Sequence, residues 1–378
     1  MSTSGMGSIA TVGIVADAAA LLSDRDCLYA GAASATGLGD PADVRDPRAG
    51  DETAACLRRC AIDLTLGGRA AESGGFRDRA ESGSASLPVT AEPTLWVYGS
   101  TRSPGSAAAA YERHFTSVMT AQGIGEHAVP LHATDEIERR MSGAVSLLRD
   151  LLPEITGSVL PFVHRAVVLA SPVTSLYLTQ VPETVFVSEG VVRGDPLGLA
   201  DAVLHESLHE KMAVLRLTRQ LMRPGYTDGA SARVLLPWSL GYAEPRWFNA
   251  GRVISAAHVY AHLAVLHATA LRDGAAAPTG CDTGTLRRRL ATAVERGGYL
   301  LRALVLKDVR RELGADGVLL HRQLTAMVDE ARRTLPRHLD HALHTWRDLP
   351  ERDVVAVGRP AAADRTEAAA DRTEEVFA

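Results

Sequence analysis

The sequence predicts an α+β protein that is mostly helical. Two observations carry that prediction. Long stretches place apolar residues at helical spacing over about 136–152, 196–222, 248–271, 285–313 and 317–347. Only short β-branched or aromatic runs lie between or before them, at 95–98, 163–169 and 184–187. Helices therefore outnumber strands, and the strands are enough for one small sheet with long helices C-terminal to it.

The elements follow in order. A helix is expected over 9–22, then a Gly/Asp/Pro-rich loop over 31–52 and a short helix over 53–66. Residues 67–86, rich in Gly, Ser, Glu and Arg, read as mobile. Leu95-Trp96-Val97-Tyr98 reads as a strand and 107–119 as a helix. From 136 the pattern tightens. Ile137, Met141, Val145, Leu148 and Leu152 share one helical stripe that stops before Pro153. Strands at 163–169 and 184–187 precede Asp195-Pro196, an N-cap followed by a proline suited to a first helical turn. The helix that begins there runs to about 222, where Pro224-Gly225 stops it. Residues 234–238 look extended, and three long helical regions follow. Residues 361–367 and 368–374 repeat Ala-Ala-Ala-Asp-Arg-Thr-Glu, a polar tail expected to fray. The expected division is an N-terminal region 1–135, a catalytic domain 136–350 and a low-complexity tail 351–378.

A chain of 378 residues with net charge -5 has no excess of cations for nucleic acid or an anionic membrane surface. The apolar stretch 9–22 has no basic residue before it and contains Asp17, so it reads neither as a signal peptide nor as a span. The expected location is the cytoplasm. Four cysteines, Cys27, Cys56, Cys60 and Cys281, are too few and scattered for a disulfide framework. Lys occurs only at 211 and 307 while Arg is abundant, a mark of coding bias.

Chemistry is signalled by His205-Glu206-Ser207-Leu208-His209, an HExxH pattern inside a helix. Residues four apart on a helix lie one above the other, so two imidazoles can grip one divalent cation. Glu206 stands one step round, as a base or as a group that orients a ligand. A third ligand is expected from the helix 248–271. His258 is favoured, with His262 as an alternate ligand or a residue orienting one; His267 lies off their face, and Asp201, one turn before His205, is weaker. His114, His127 and His132 are isolated, and His338, His341 and His344 read as a solvated face. Arg233 and Arg246 are the candidate cations for a carboxylate, which a guanidinium binds bidentately. Two strands just before the motif helix suggest a zincin-like arrangement, in which a sheet edge above the metal holds a peptide by strand addition.

The stretch 136–271 resembles the HExxH-motif peptide-modification family associated with ribosomal peptide natural products. The resemblance lies in the Leu-rich helix ending near Pro153, Asp195-Pro196-Leu197, the HExxH itself, Pro237-Trp238, Pro245-Arg246 and Val259-Tyr260-Ala261. It implies an Fe(II)- and 2-oxoglutarate-dependent oxygenase that hydroxylates an unactivated (β) carbon of a precursor peptide. His205, His209 and His258 would hold the iron. Two other readings stay open: a zinc metallopeptidase with Glu206 as general base, and a non-catalytic peptide-binding module. Imidazole suits iron and zinc alike.

Overall fold

The computed structural model describes residues 18–36, 58, 95–99, 114–121, 128–172, 174–240, 245–274, 280–335 and 354–356. Most of the described residues are helical, and two small sheets complete an α+β architecture. The expectations at 37–57 and 59–94, at His127, at 336–353 (including His338, His341 and His344) and in the tail from 357 fall outside the described residues.

The first sheet is built on β3 (Arg165–Ala170). It pairs in parallel with β5 (Thr184–Ser188), from Arg165↔Thr184 to Leu169↔Ser188. On its other side β3 is shared end to end. β1 (Trp96–Val97) runs parallel beside Arg165 and Ala166, and β2 (Val129–Leu131) runs antiparallel beside Val168 to Ala170. β4 (Ser175–Leu176) closes the far edge, antiparallel to β5. Strands contributed before and after residue 135 thus lie in one sheet.

Both faces of this sheet are covered, which explains why β5 is buried throughout and apolar at its three central residues. Alternation sorts its residues. Val168, Val185 and Val187 join the large core with the helices, while Val167, Leu169 and Phe186 join a smaller one. That smaller core contains Phe115, Val118 and Met119 from the helical stretch 114–121, and the Phe115 ring stacks on Phe186 at 5.3 Å.

The helical layer begins with α1 (Ala18–Thr36), followed in chain order by α2 (114–121). α3 (Asp135–Leu151) starts where the Thr134 hydroxyl accepts the Ile137 N–H, with three acids in its first turn against the helix dipole. α4 (Pro153–Val159) opens on its proline, and α5 (Glu189–Arg193) is a single turn. α6 (Pro196–Thr218) is the HExxH helix. The Asp195 carboxylate accepts the Gly198 N–H at 2.7 Å and is itself held by Arg289 at 2.8 Å.

α6 ends four residues before the expected stop. The chain leaves it at Arg219 to pair with the start of a later helix: Gly314 donates to Leu221 O, and Asp316 accepts from Gln220 N. Gly314 and Gly317 permit that approach. A Cβ on either would stand 2.2 and 2.1 Å from the carbonyl oxygens of Gln220 and Leu221.

β6 (Arg233–Leu235) pairs with β7 (Trp247–Asn249) and with β8 (Val355–Ala356), so two residues of the expected tail 351–378 form a strand. α7 (Ala250–Arg272) is capped by Asn249. It is long and apolar enough to cross a membrane, but 83% of its apolar window is buried against the rest of the protein. The region expected as one helix over 285–313 is α8 (Thr283–Ala303), a turn at 304–306, then α9 (Lys307–Arg310). α10 (Ala315–Arg332) packs with α8 against α7.

Candidate metal centre

The centre is built where α6 and α7 pass each other. Asp201, early on α6, meets His267, late on α7, while His209 acts electrostatically on His258 near the other ends. These pairings run in opposite senses along the chain, so the helices are antiparallel and bring their histidines face to face.

On α6, Asp201, His205, His209 and Ala213 fall four apart and form a half-buried stripe, whereas Glu206, Ser207, Leu208, Glu210 and Lys211 are buried. The His205 and His209 rings lie 5.0 Å apart and tilted by 53°. Tyr177, just past the edge strand β4, stacks on His209 at 5.1 Å and 21°. The pair thus shares one partly open face with an aromatic wall.

Both imidazoles are held neutral. Burial lowers His205, opposed by the charge of Asp201. Burial lowers His209 far more, assisted by His205 and by Arg252. A neutral imidazole is the form that ligates a metal.

Glu206 lies on the buried side at 1% exposure. Burial pushes its carboxyl up to about 8, a hydrogen bond from Ser175 opposes this, and Glu210 adds to it. Its Oε2 has no hydrogen-bond partner. Glu210 is paired with Arg58 at 2.6 Å.

His258 on α7 is fully buried, and neither ring nitrogen has a hydrogen-bond partner. Burial, His262, Lys211 and His209 together hold it well below the usual imidazole range. His262 Nδ1 lies 2.7 Å from the His258 carbonyl oxygen. That contact makes Nδ1 the protonated nitrogen and leaves Nε2 with its lone pair. Burial brings His262 down to about 4, against the pull of that carbonyl. Lys211, from α6, is fully buried, reaches Ser158 Oγ at 3.2 Å and is lowered by burial to about 7.

The sequence-predicted residues are therefore placed as follows. His205 and His209 come together. His258 is buried across the helix pair from His209, but among the described residues no three His, Cys, Asp or Glu side chains are gathered into a ligating group. Asp201 and His267 bond to each other at 2.8 Å. Burial raises the Asp201 carboxyl, yet the His267 bond, with His205 and Arg289 nearby, outweighs it and holds it below its ordinary value. Arg233 is buried in β6. The Arg246 backbone pairs with Leu236 and Ser239. A cation that acts on His209 is Arg252, in the first turn of α7 and 4.9 Å over the Phe248 ring. His114 bonds Gln180 O, and His132 stacks on Tyr98. Cys27 and Cys281 are free thiols.

Ser175, Tyr177, Arg252 and Arg58 were not singled out from the sequence. Ser175, Tyr177 and Arg58 meet the motif only through the fold. Lys211 carried a local signal: a lysine in an apolar stretch of a chain with two lysines. Comparison of the sequence with protein-family models finds no match, and comparison with curated proteins finds no related sequence.

Proposed function

We propose that the protein is an Fe(II)- and 2-oxoglutarate-dependent hydroxylase acting on an unactivated (β) carbon of a residue in a precursor peptide, of the kind that matures ribosomal peptide natural products. His205 and His209 would hold the metal on their half-open face, and His258 is the third ligand. The donor set fits the group. Two imidazoles four apart are kept neutral, and a third, fully buried, has two nitrogens that nothing in the fold satisfies. A buried polar group without a partner is costly, and a cation between the helices would remove the cost. Iron with 2-oxoglutarate would supply oxygen activation coupled to decarboxylation.

The observation that carries the oxygenase reading over hydrolysis is the placement of Glu206. A general base must present an ionised carboxylate to a metal-bound water. Glu206 is instead buried beside Ser175, off the half-open stripe that carries His205 and His209. In this role it orients the helix and its ligands. Beside Arg246 and Arg233, Arg252 is a further candidate cation, since its charge reaches His209. A guanidinium there can take the remote carboxylate of a dicarboxylic cosubstrate. Tyr177 walls one side of His209 and helps exclude water.

A second reading has one observation in its favour. Glu206 contacts Ser175 in β4, an antiparallel edge strand of the mixed sheet. A zincin-like peptidase would use such an edge to hold an extended peptide beside its base. The test is direct. Protein purified anaerobically is given Fe(II), 2-oxoglutarate and oxygen; succinate formed under these conditions supports the oxygenase. Zinc-dependent peptide cleavage without succinate supports the peptidase, and Glu206→Gln should then abolish it.

A further inference from the structure

We infer that Arg58, from the N-terminal part of the chain, is a positioning residue for His209. The inference rests on His209 being a ligand, as proposed above. Arg58 approaches from outside the region that carries the motif, yet it ends under the HExxH helix. Its guanidinium holds both oxygens of Glu210, at 2.6 and 3.4 Å, and its Nε donates to the Tyr29 hydroxyl at 3.2 Å. Arg58 is 5% exposed and Glu210 is fully buried.

This geometry sets His209 from two sides. Glu210 is the next residue on the helix, so clamping its side chain fixes the rotation of that turn about the helix axis and with it the direction of His209. Tyr177, whose ring stacks on His209, lies within electrostatic range of the same guanidinium. Tyr29 is buried on α1, so the clamp is tied to a helix packed on α6. One cation therefore sits where the backbone support and the ring support of His209 meet. A fork of donors that satisfies a carboxylate at both oxygens restricts orientation as well as distance.

Removing Arg58 alone would leave Glu210 as an orphaned buried charge and could unfold the protein. The informative variant is Arg58→Met combined with Glu210→Met, which replaces the pair by apolar side chains. Two quantities are read in the full chain. The first is the imidazole C–H resonance of His209 in histidine-labelled, metal-free protein, assigned with His209→Gln. The second is Co(II) affinity by chelator competition.

The double variant should shift the His209 resonance, because the Tyr177 ring current on it changes. It should also weaken Co(II) binding by about tenfold or more, the usual effect of losing a residue that supports a ligand. Arg58→Lys should stay nearer the parent in both. A folded double variant with the parental resonance, or with parental Co(II) affinity, overturns the inference. If it does not fold, Arg58→Gln with Glu210→Gln takes its place, and a parental resonance or parental Co(II) affinity there overturns the inference equally. If the parent itself binds no Co(II), the metal reading fails on its own, and the His209 resonance alone decides the role of Arg58.

Discussion

Lys211 gives the most quantitative prediction. It is fully buried on α6, two residues past the motif, with Ser158 Oγ as a hydrogen-bond acceptor at 3.2 Å. Burial lowers its amine from 10.5 to about 7. The unfolded chain binds that proton up to the ordinary lysine range, while the folded chain releases it near neutrality. Between those limits the unfolded state holds more protons, so stability rises with pH. The penalty is largest below pH 7 and fades as pH approaches 10.5. At ~1.4 kcal/mol per pH unit the full displacement is worth about 5 kcal/mol, and the part recovered between about pH 7 and about pH 9.5 is about 3 kcal/mol. Lys211→Met removes the charge and keeps the stem volume. The variant should be more stable than the parent at pH 7 by roughly 2–4 kcal/mol, the range seen when buried ionic groups become apolar. Its advantage should shrink as pH rises. Urea unfolding of both proteins at the two pH values measures this, and the difference between them isolates Lys211. Equal pH slopes for parent and variant would refute the placement of this amine in a dry interior.

Four further outcomes follow from the same physics. Glu206 has the opposite sense: its folded carboxyl is raised to about 8, so its favourable share is full at pH below the ordinary glutamate range and is lost as pH climbs through 8. Glu206→Gln should therefore stabilise the metal-free protein, by an amount that grows across that window in urea melts. His258→Leu removes an imidazole whose nitrogens bond to nothing; it should leave metal-free stability unchanged or higher while abolishing tight Co(II) binding in chelator competition. Gly314→Ala places a methyl against the Gln220 carbonyl, and overpacking of this kind should cost about 1–3 kcal/mol in thermal or urea unfolding. Arg252→Met should raise the imidazole pKa of His209, since Arg252 is one of the charges that lowers it; NMR titration of the metal-free protein reads the shift.

The long helices from 135 on were largely legible because their signals are local, whereas α1 runs to Thr36, past the helix expected over 9–22 and into the loop expected from 31. The α6 start needed only Asp195 and Pro196, and the α3 stripe needed only its spacing and Pro153. Local signals failed where tertiary contacts decide. The end of α6 is set by Gly314 and Asp316, nearly a hundred residues on. The turn at 304–306 that separates α8 from α9 contains Leu, Val and Leu, none of which breaks a helix by itself. β2, β4 and β8 have two or three residues each, too few to show alternation.

In the site, the α-helical repeat placed His205 and His209 on one face. It could not tell which side of α6 is buried, because the surrounding residues are apolar nearly all round. The half-open stripe and the withdrawal of Glu206 therefore emerged only from the packing. Proximity in sequence to the motif does not show that an antiparallel helix brings the Arg252 guanidinium back towards His209.

The proposed function stands on imidazoles from α6 and α7 sharing one cation. Metal content per chain, determined on protein purified without chelators and compared with His205→Ala, His209→Ala and His258→Ala, tests this most directly. One divalent ion per parent chain is expected, with loss of it in all three variants. A parent that holds no metal after incubation with Fe(II) or Zn(II), or variants that retain it in full, would contradict the shared site.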